Sequence, residues 1–482
     1  MRSMSGLKKH KLFINGQWAD ASQSVTLQSS FSGEAVAEVA QVDPRQLEEC
    51  IAVSQEAFET LRKASRFARS TLLRKMAAGI ESRRSEFRDS IIREAGKPYA
   101  QADTEVSRAI NTFTLAAEEV RRFAGEIVPV DLDAGSRSYG PAESQWFPRG
   151  PVLAIGPFNF PLNLIAHKIA PALAVGSPVI VKPAPQAPGA ATLLAEVFRA
   201  SLVDEIPVGS LQVINGANEV IEKAVSDSRI PVLSFTGSDV VGWKLKEKAN
   251  KKKVLLELGG NAAAIVHSDA DLKRAASRLA TGGFAYAGQV CISVQRIFVQ
   301  ENVMAEFQNL FLNEVAQLKV GDPGAEDTAV GPLIDKKAAD RVSLWIDEAC
   351  QAGARLLVGG ARKDCFISPA VLINVPVTAK LFSEEVFGPV VILSTYNNFD
   401  EALKLVNQSR FGLQAGVFTD SSRLITKAFS ELAVGGVIIN DGPTYRADNM
   451  PYGGVKDSGD GREGVRYAME EYCERKVLVR FN

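Results

Sequence analysis

Cysteine is scarce in this chain of 482 residues: Cys50, Cys291, Cys350, Cys365 and Cys473 are odd in number, widely spaced and include no CxxC pair. That excludes a disulfide framework and supplies no zinc-ligand spacing, so no metal site is expected. An excess of either charge is also missing, with 55 basic against 56 acidic side chains. Neither nucleic acid nor an anionic membrane surface is therefore an expected partner. No run of about 18 uncharged apolar residues occurs, as a membrane-spanning helix would need. The nearest approach, residues 162–181, is interrupted by His167, Lys168 and internal Pro and Gly, and reads as a core helix followed by a strand. The opening MRSMSGLKKHKLFING lacks the apolar stretch of a secretory signal, and a reducing cytoplasm is the expected compartment. Internal repeats and low-complexity tracts are absent. No GxGxxG occurs between residues 148 and 257, which excludes a standard dinucleotide turn there.

What is present has an ordered layout. The length exceeds what one hydrophobic core holds, so two or three domains are expected. Asp43-Pro44 supplies an N-cap followed by Pro at the first helical position, predicting a helix through Leu61. Amphipathic stretches from Arg69 to Arg93, closing at Gly96-Lys97-Pro98, and from about Gln101 to Phe123 make the early block read as helical. From Val152 the texture changes to short apolar runs alternating with helical patterns: 152–155, 179–181, 211–214, 232–235 and 254–257. That alternation predicts parallel βαβ units in an open sheet, with ligands at the carboxyl ends of the strands. A second α/β stretch runs from near Leu258 to about Gly454. Residues 128–147 alternate weakly, and the last fifteen residues read as a strand.

The runs that carry chemistry lie in the middle third. Glu257 follows Val254-Leu255-Leu256, and Cys291, in Gly288-Gln289-Val290-Cys291-Ile292, comes 34 positions later. A cysteine in such a setting is either a small buried hydrophobe or, at the start of an apolar helix, a thiolate favoured by the helix dipole and free N–H groups. Burial of Glu257 should raise its pKa toward neutrality, where a carboxylate serves as a general base; a structural ion pair is the alternative. Phe235-Thr236-Gly237-Ser238 ends a strand and opens a helix over 239–248, whose exposed N–H groups can receive a pyrophosphate. Gly242, one turn on, would let backbone approach.

Together with Ile155-Gly156-Pro157-Phe158-Asn159-Phe160-Pro161, Val179-Ile180-Val181-Lys182-Pro183, Glu384-Glu385-Val386-Phe387-Gly388-Pro389 and Pro451-Tyr452-Gly453-Gly454-Val455-Lys456-Asp457-Ser458-Gly459, these runs resemble, in order and spacing, the aldehyde dehydrogenase superfamily. The segments 288–296 and 444–452 look most like its branch of lactaldehyde and non-phosphorylating glyceraldehyde-3-phosphate dehydrogenases. The resemblance implies an α/β fold with two open parallel-sheet, Rossmann-like domains. Residues 1–127 and 148–257 would bind the cofactor, 258–455 would be catalytic, and 128–147 with 466–482 would form a small β element for homodimer or homotetramer assembly.

It also implies roles. Cys291 would form a thiohemiacetal with an aldehyde, Asn159 and the Cys291 N–H would hold the oxyanion, and Glu257 would activate water against the thioester. Ile155, Pro157, Phe158, Lys182, Gly237, Ser238, Val241, Glu385 and Phe387 would bind NAD or NADP. Pro185 stands three residues after the lysine, where many NAD-preferring members carry a ribose-binding glutamate; its absence favours NADP. Glu463 is a candidate on a proton path, or one half of an Arg–Glu surface pair. Phe160 and Arg446 are substrate candidates, Arg446 either holding an anionic group or pairing with Asp448 or Asp441. Val290, where phosphate-using members often place arginine, argues for an unphosphorylated aldehyde such as lactaldehyde or glyceraldehyde. A sister activity, acyl transfer from Cys291 to coenzyme A, has no use for Glu257. A non-catalytic binding protein has no use for Asn159, Glu257 and Cys291 together.

Overall fold

The computed structural model describes residues 7–135 and 140–481. Residues 136–139 of the 128–147 piece, together with 1–6 and 482, lie outside them. Two open sheets dominate, as expected for this fold class. In the first, five parallel strands run in the spatial order Lys253–Glu257, Val232–Thr236, Val152–Ile155, Val179–Lys182, Leu211–Val213. Chain order reverses between Val152–Ile155 and Val232–Thr236, which opens a crevice at their carboxyl ends, where Gly156 and Gly237 emerge. The second sheet orders Arg355–Val358, Ala370–Ile373, Val390–Tyr396, Arg296–Gln300, Ala263–Val266, Gln414–Phe418 and Gly436–Ile439, parallel except for the first.

These strands are β-branched and apolar, and nearly every residue of the inner ones is buried, as suits sheets covered by helices on both faces. The helix Asn163–Val175 is buried along its whole length and packs against the first sheet. A third, antiparallel sheet joins Glu126–Val128, Ala142–Pro148 and Cys473–Leu478.

The early block departs from the expectation. Residues 8–41 form five short strands, and helices begin only at Pro44. Leu12–Ile14, fully buried, pairs antiparallel with Leu211–Val213 and extends the first sheet. Three-residue strands are too short to show periodicity, so their burial is a tertiary fact. The helix expected over 69–93 is two, Arg66–Ser82 and Arg84–Ala95, broken at Arg83 (φ −116°). By contrast Asp43 forms a full capping box with Gln46 on the helix Pro44–Leu61.

The C-terminal region returns to the first sheet. Gly459–Asp460 pairs antiparallel with Lys253–Glu257, setting Gly459 opposite Glu257. Residues 451–463, more than 190 positions downstream, thereby reach Glu257.

Candidate active site

A cleft of about 860 Å³ opens at the crevice of the first sheet and extends to Cys291. Ile155, Pro157, Phe158, Asn159, Lys182, Pro185, Gly237, Ser238, Val241, Glu385, Phe387 and Cys291 all line it. Ser238 caps the helix Asp239–Lys248 only in backbone position, since its side chain makes no capping bond. The first N–H groups of that helix are thus left for a ligand. Gly242 has a different reason from the expected one: a Cβ there would sit 2.3 Å from Leu258 Cδ2, so it permits helix–strand packing.

Lys182 is buried at the end of its strand and has no ion-pair partner among the described residues; burial pulls its pKa down to about 8. On the opposite wall, Glu385 accepts the Gly260 N–H at 2.9 Å, and burial raises its carboxyl to about 7 against that bond. A side chain at Gly259 would strike this carboxylate, at 2.4 Å from Cβ. Phe387, in the left-handed region at φ 46°, sets its ring edge-on to Phe158 with centroids 5.9 Å apart. An uncapped helix start, an unpaired lysine and a facing carboxylate fit the phosphates and riboses of a dinucleotide.

Cys291 is not at a helix start. It follows a 3-10 turn, Ala285–Gly288, in which Tyr286, Ala287 and Gly288 all adopt left-handed φ (49°, 52° and 70°), and it precedes the strand Arg296–Gln300. Two adjacent non-glycine residues in that region store strain that the surroundings must hold. They do: Tyr286 Oη donates to Ala95 O (2.6 Å), while the Gln289 amide donates to Pro332 O and its Oε1 accepts from Ile334 N. A Cβ on Gly288 would lie 2.1 Å from Gly388 O, and one on Gly260 would lie 2.3 Å from Cys291 O. Glycine at those places lets the strand ends close on the cysteine loop. With no helix dipole behind it, the partly buried thiol is pushed up to about 11 by burial, against a lowering bond from Tyr452. The expected dipole-stabilised thiolate is therefore corrected: desolvation wins, and side chains must do what a helix does not.

Asn159 is buried and donates one amide N–H to Gln289 O at 2.9 Å, two residues before Cys291. A side-chain amide has two N–H donors, so one remains. Glu257 is buried and does not itself line the cleft, whereas the two residues after it, Leu258 and Gly259, do. Glu257 Oε2 has no hydrogen-bond partner, and the carboxyl's pKa is raised well above the ordinary value, by burial first and by the Glu463 charge second.

Glu463 is no surface residue. It is 1% exposed, accepts Lys168 Nζ at 2.9 Å and Arg446 Nη2 at 3.2 Å, and is held well below the ordinary carboxylate range by those cations against the cost of burial. Arg446 pairs with Glu463 instead of Asp448 or Asp441, which bind Arg108 and Arg278. Phe160 lies outside the cleft lining, under Lys97 Nζ at 3.5 Å from its ring centroid. Sequence reading missed Lys168, in mid-helix, and Tyr452, whose hydroxyl is 3.1 Å from Cys291 Sγ. The only signal for Tyr452 was its place in an already singled-out run.

The aldehyde dehydrogenase family profile matches residues 18–478. The chain belongs to that family. It is 40% identical over 480 residues to a 3-sulfolactaldehyde dehydrogenase of Priestia aryabhattai, covering 99% of both chains. Aldehyde dehydrogenase 21 of Physcomitrella patens, solved with the reaction product succinate, is 40% identical, with a TM-score of 0.96 and 98% of each chain covered. The glyceraldehyde-3-phosphate dehydrogenase GapN of Methanocaldococcus jannaschii, solved with NADP, is 37% identical, with a TM-score of 0.91, covering 95% of this chain and 99% of its own. Among the described residues no cluster of His, Cys, Asp and Glu could hold a metal ion, and no helix is long and apolar enough to cross a membrane.

Proposed function

We propose that this aldehyde dehydrogenase oxidises a small aldehyde bearing a hydroxyl or an anionic group to its carboxylic acid, with NADP, or NAD, as acceptor. The observation that carries the reading is one cleft lined by Cys291 and Asn159 at one end and by the uncapped start of the helix Asp239–Lys248 at the other. In this mechanism the Cys291 sulfur adds to the aldehyde carbon and the carbonyl electron pair moves to oxygen. The free Asn159 N–H and the Cys291 N–H receive that charge, each such donor contributing about 2.7–4 kcal/mol. A bound nicotinamide would supply the hydride acceptor; when the adduct carbon gives up its hydride, the oxyanion pair re-forms the carbonyl and a thioester remains on Cys291. Glu257 then takes a proton from the water that attacks the thioester, and the ionised Glu463, held by Lys168 and Arg446, strengthens that base by its charge. A carboxylate with a raised pKa suits the base.

Lys182 is assigned to the adenosine ribose, the N–H groups near Ser238 to the pyrophosphate, and Glu385 and Phe387 to the nicotinamide ribose and ring. Pro185 brings no carboxylate near Lys182, which supports NADP. Neither Arg446 nor Phe160 lines the cleft, so both are assigned behind the substrate, Arg446 through its pair with Glu463, and Val290 supports an unphosphorylated substrate. The names of the relatives support a short hydroxylated or acidic chain. Assembly as a homo-oligomer in a reducing cytoplasm completes the reading, consistent with five free cysteines.

A panel of lactaldehyde, glycolaldehyde, glyceraldehyde, its 3-phosphate and succinic semialdehyde, assayed with both nucleotides, tests the substrate. Cys291→Ala is expected to abolish oxidation while nucleotide binding, read by fluorescence quenching, is retained; turnover within about tenfold of the parent sinks the assignment.

A further inference from the structure

Tyr452 is buried, and a buried phenol needs a hydrogen-bond partner. Its partner is the Cys291 sulfur, at 3.1 Å. We propose that Tyr452 is a further catalytic residue, whose hydroxyl donates to the Cys291 sulfur and holds the thiolate in place for attack. The inference rests on Cys291 being the nucleophile.

The hydroxyl is preorganised from two sides. Its backbone exchanges both hydrogen bonds with Glu463, at 3.0 and 2.7 Å, and the Arg446 guanidinium lies 3.8 Å from the ring centroid. Arg446 is in turn tied to Glu463, so ring, cation and anion form one fixed stack. The neighbouring Gly453 puts a would-be Cβ 3.0 Å from Glu257 Oε1, which places the tyrosine backbone beside the carboxylate.

While sulfur carries its proton, either atom can donate. Once that proton has left for solvent, only the phenol can. The charged and titratable groups acting on Cys291 are Tyr452, Glu385, Arg446 and Glu257; those acting on Tyr452 are Cys291, Arg446 and Glu257. Two of the groups around the sulfur are acids that disfavour a thiolate, so the phenolic donor and Arg446 are what oppose them. Burial holds the phenol's own pKa well above its ordinary value, so its proton stays on oxygen when the thiolate forms. When the S–C bond to the aldehyde forms, the sulfur charge disappears and the O–H is released to the incoming substrate.

The test is the rate of Cys291 carboxamidomethylation by iodoacetamide against pH, read by mass spectrometry of the peptide holding that cysteine, in parent and Tyr452→Phe. Phenylalanine keeps the ring and its packing and removes only the donor. We expect the midpoint to move up by about one pH unit and the rate below it to fall about tenfold. Tyr452→Leu, lacking the same hydroxyl, is expected to give the same displacement should phenylalanine perturb the fold. Coincident profiles for parent and both variants overturn the inference. Full turnover by Cys291→Ala would instead overturn the nucleophile assignment, so the two failures are distinguishable.

Discussion

Glu257 and Glu463 are both buried carboxyls in one cluster, yet their acidities are driven apart. Glu463 touches Lys168 and Arg446 and stays ionised; Glu257 has an oxygen with no partner and is pushed up by burial and by the charge of Glu463. A base accepts a proton only in its ionised form, so a raised pKa moves the pH at which Glu257 starts to work upward. Thioester hydrolysis should accordingly climb with pH well above the ordinary carboxylate range. Glu257→Gln removes that group: the expected pre-steady-state trace is a burst of reduced nucleotide, then a slow phase that is flat where the parent rises. A single phase at the parental rate would remove Glu257 from the mechanism. Cys291, Asn159 and Glu257 were legible before folding because each sits in a short run with its own punctuation. Tyr452, Lys168 and the buried state of Glu463 were not, since each takes its meaning from a partner 161 to 295 positions away.

The helix Asn163–Val175 shows the same limit at the scale of an element. Its apolar run was plain in the sequence, but its start carries no side-chain cap of its own. Glu105, from the helix Tyr99–Arg122, supplies one: Oε1 accepts the Leu162 and Asn163 N–H groups at 2.8 and 3.1 Å. The other oxygen binds Lys97, itself wholly buried and lying over Phe160, the residue after Asn159. One acid therefore caps a helix and neutralises a cation beside the candidate oxyanion donor. In Glu105→Gln the amide oxygen still accepts from backbone, but Lys97 is left buried without a counter-charge, which costs about 3–5 kcal/mol when one partner of such a pair is removed. Urea denaturation should show a loss of that order, and an unchanged midpoint would mean that Lys97 has another counter-charge. Short elements fared worst in sequence reading. Three of the strands of residues 8–41 hold three residues each, too few to declare a period, and Gln23–Gln28 is mostly exposed, whereas the five parallel strands of the first sheet are buried, mainly apolar runs.

For the whole molecule, the two large sheets account for the cleft, and the third carries part of the exposed apolar surface at the chain's C-terminal strand. In that antiparallel sheet Cys473–Leu478 is an edge strand, and Ile127, Val477 and Leu478 are 67%, 60% and 47% exposed, with Val479 and Phe481 exposed just beyond. An edge that carries unpaired backbone groups and apolar side chains is a template for another chain. Arg475 and Lys476 interrupt it, but both are folded back over Trp146 and Phe147 of the neighbouring strand and so shield that face more than the edge. A second copy of this chain is the occupant that the family resemblance supplies. Val477→Asp places a charge on the exposed edge strand without touching the cleft, and should lower the mass found by sedimentation equilibrium to that of a smaller species. Nucleotide binding should persist, because none of the residues lining the cleft comes from this sheet. An unchanged mass would show that assembly, where it occurs, uses another face.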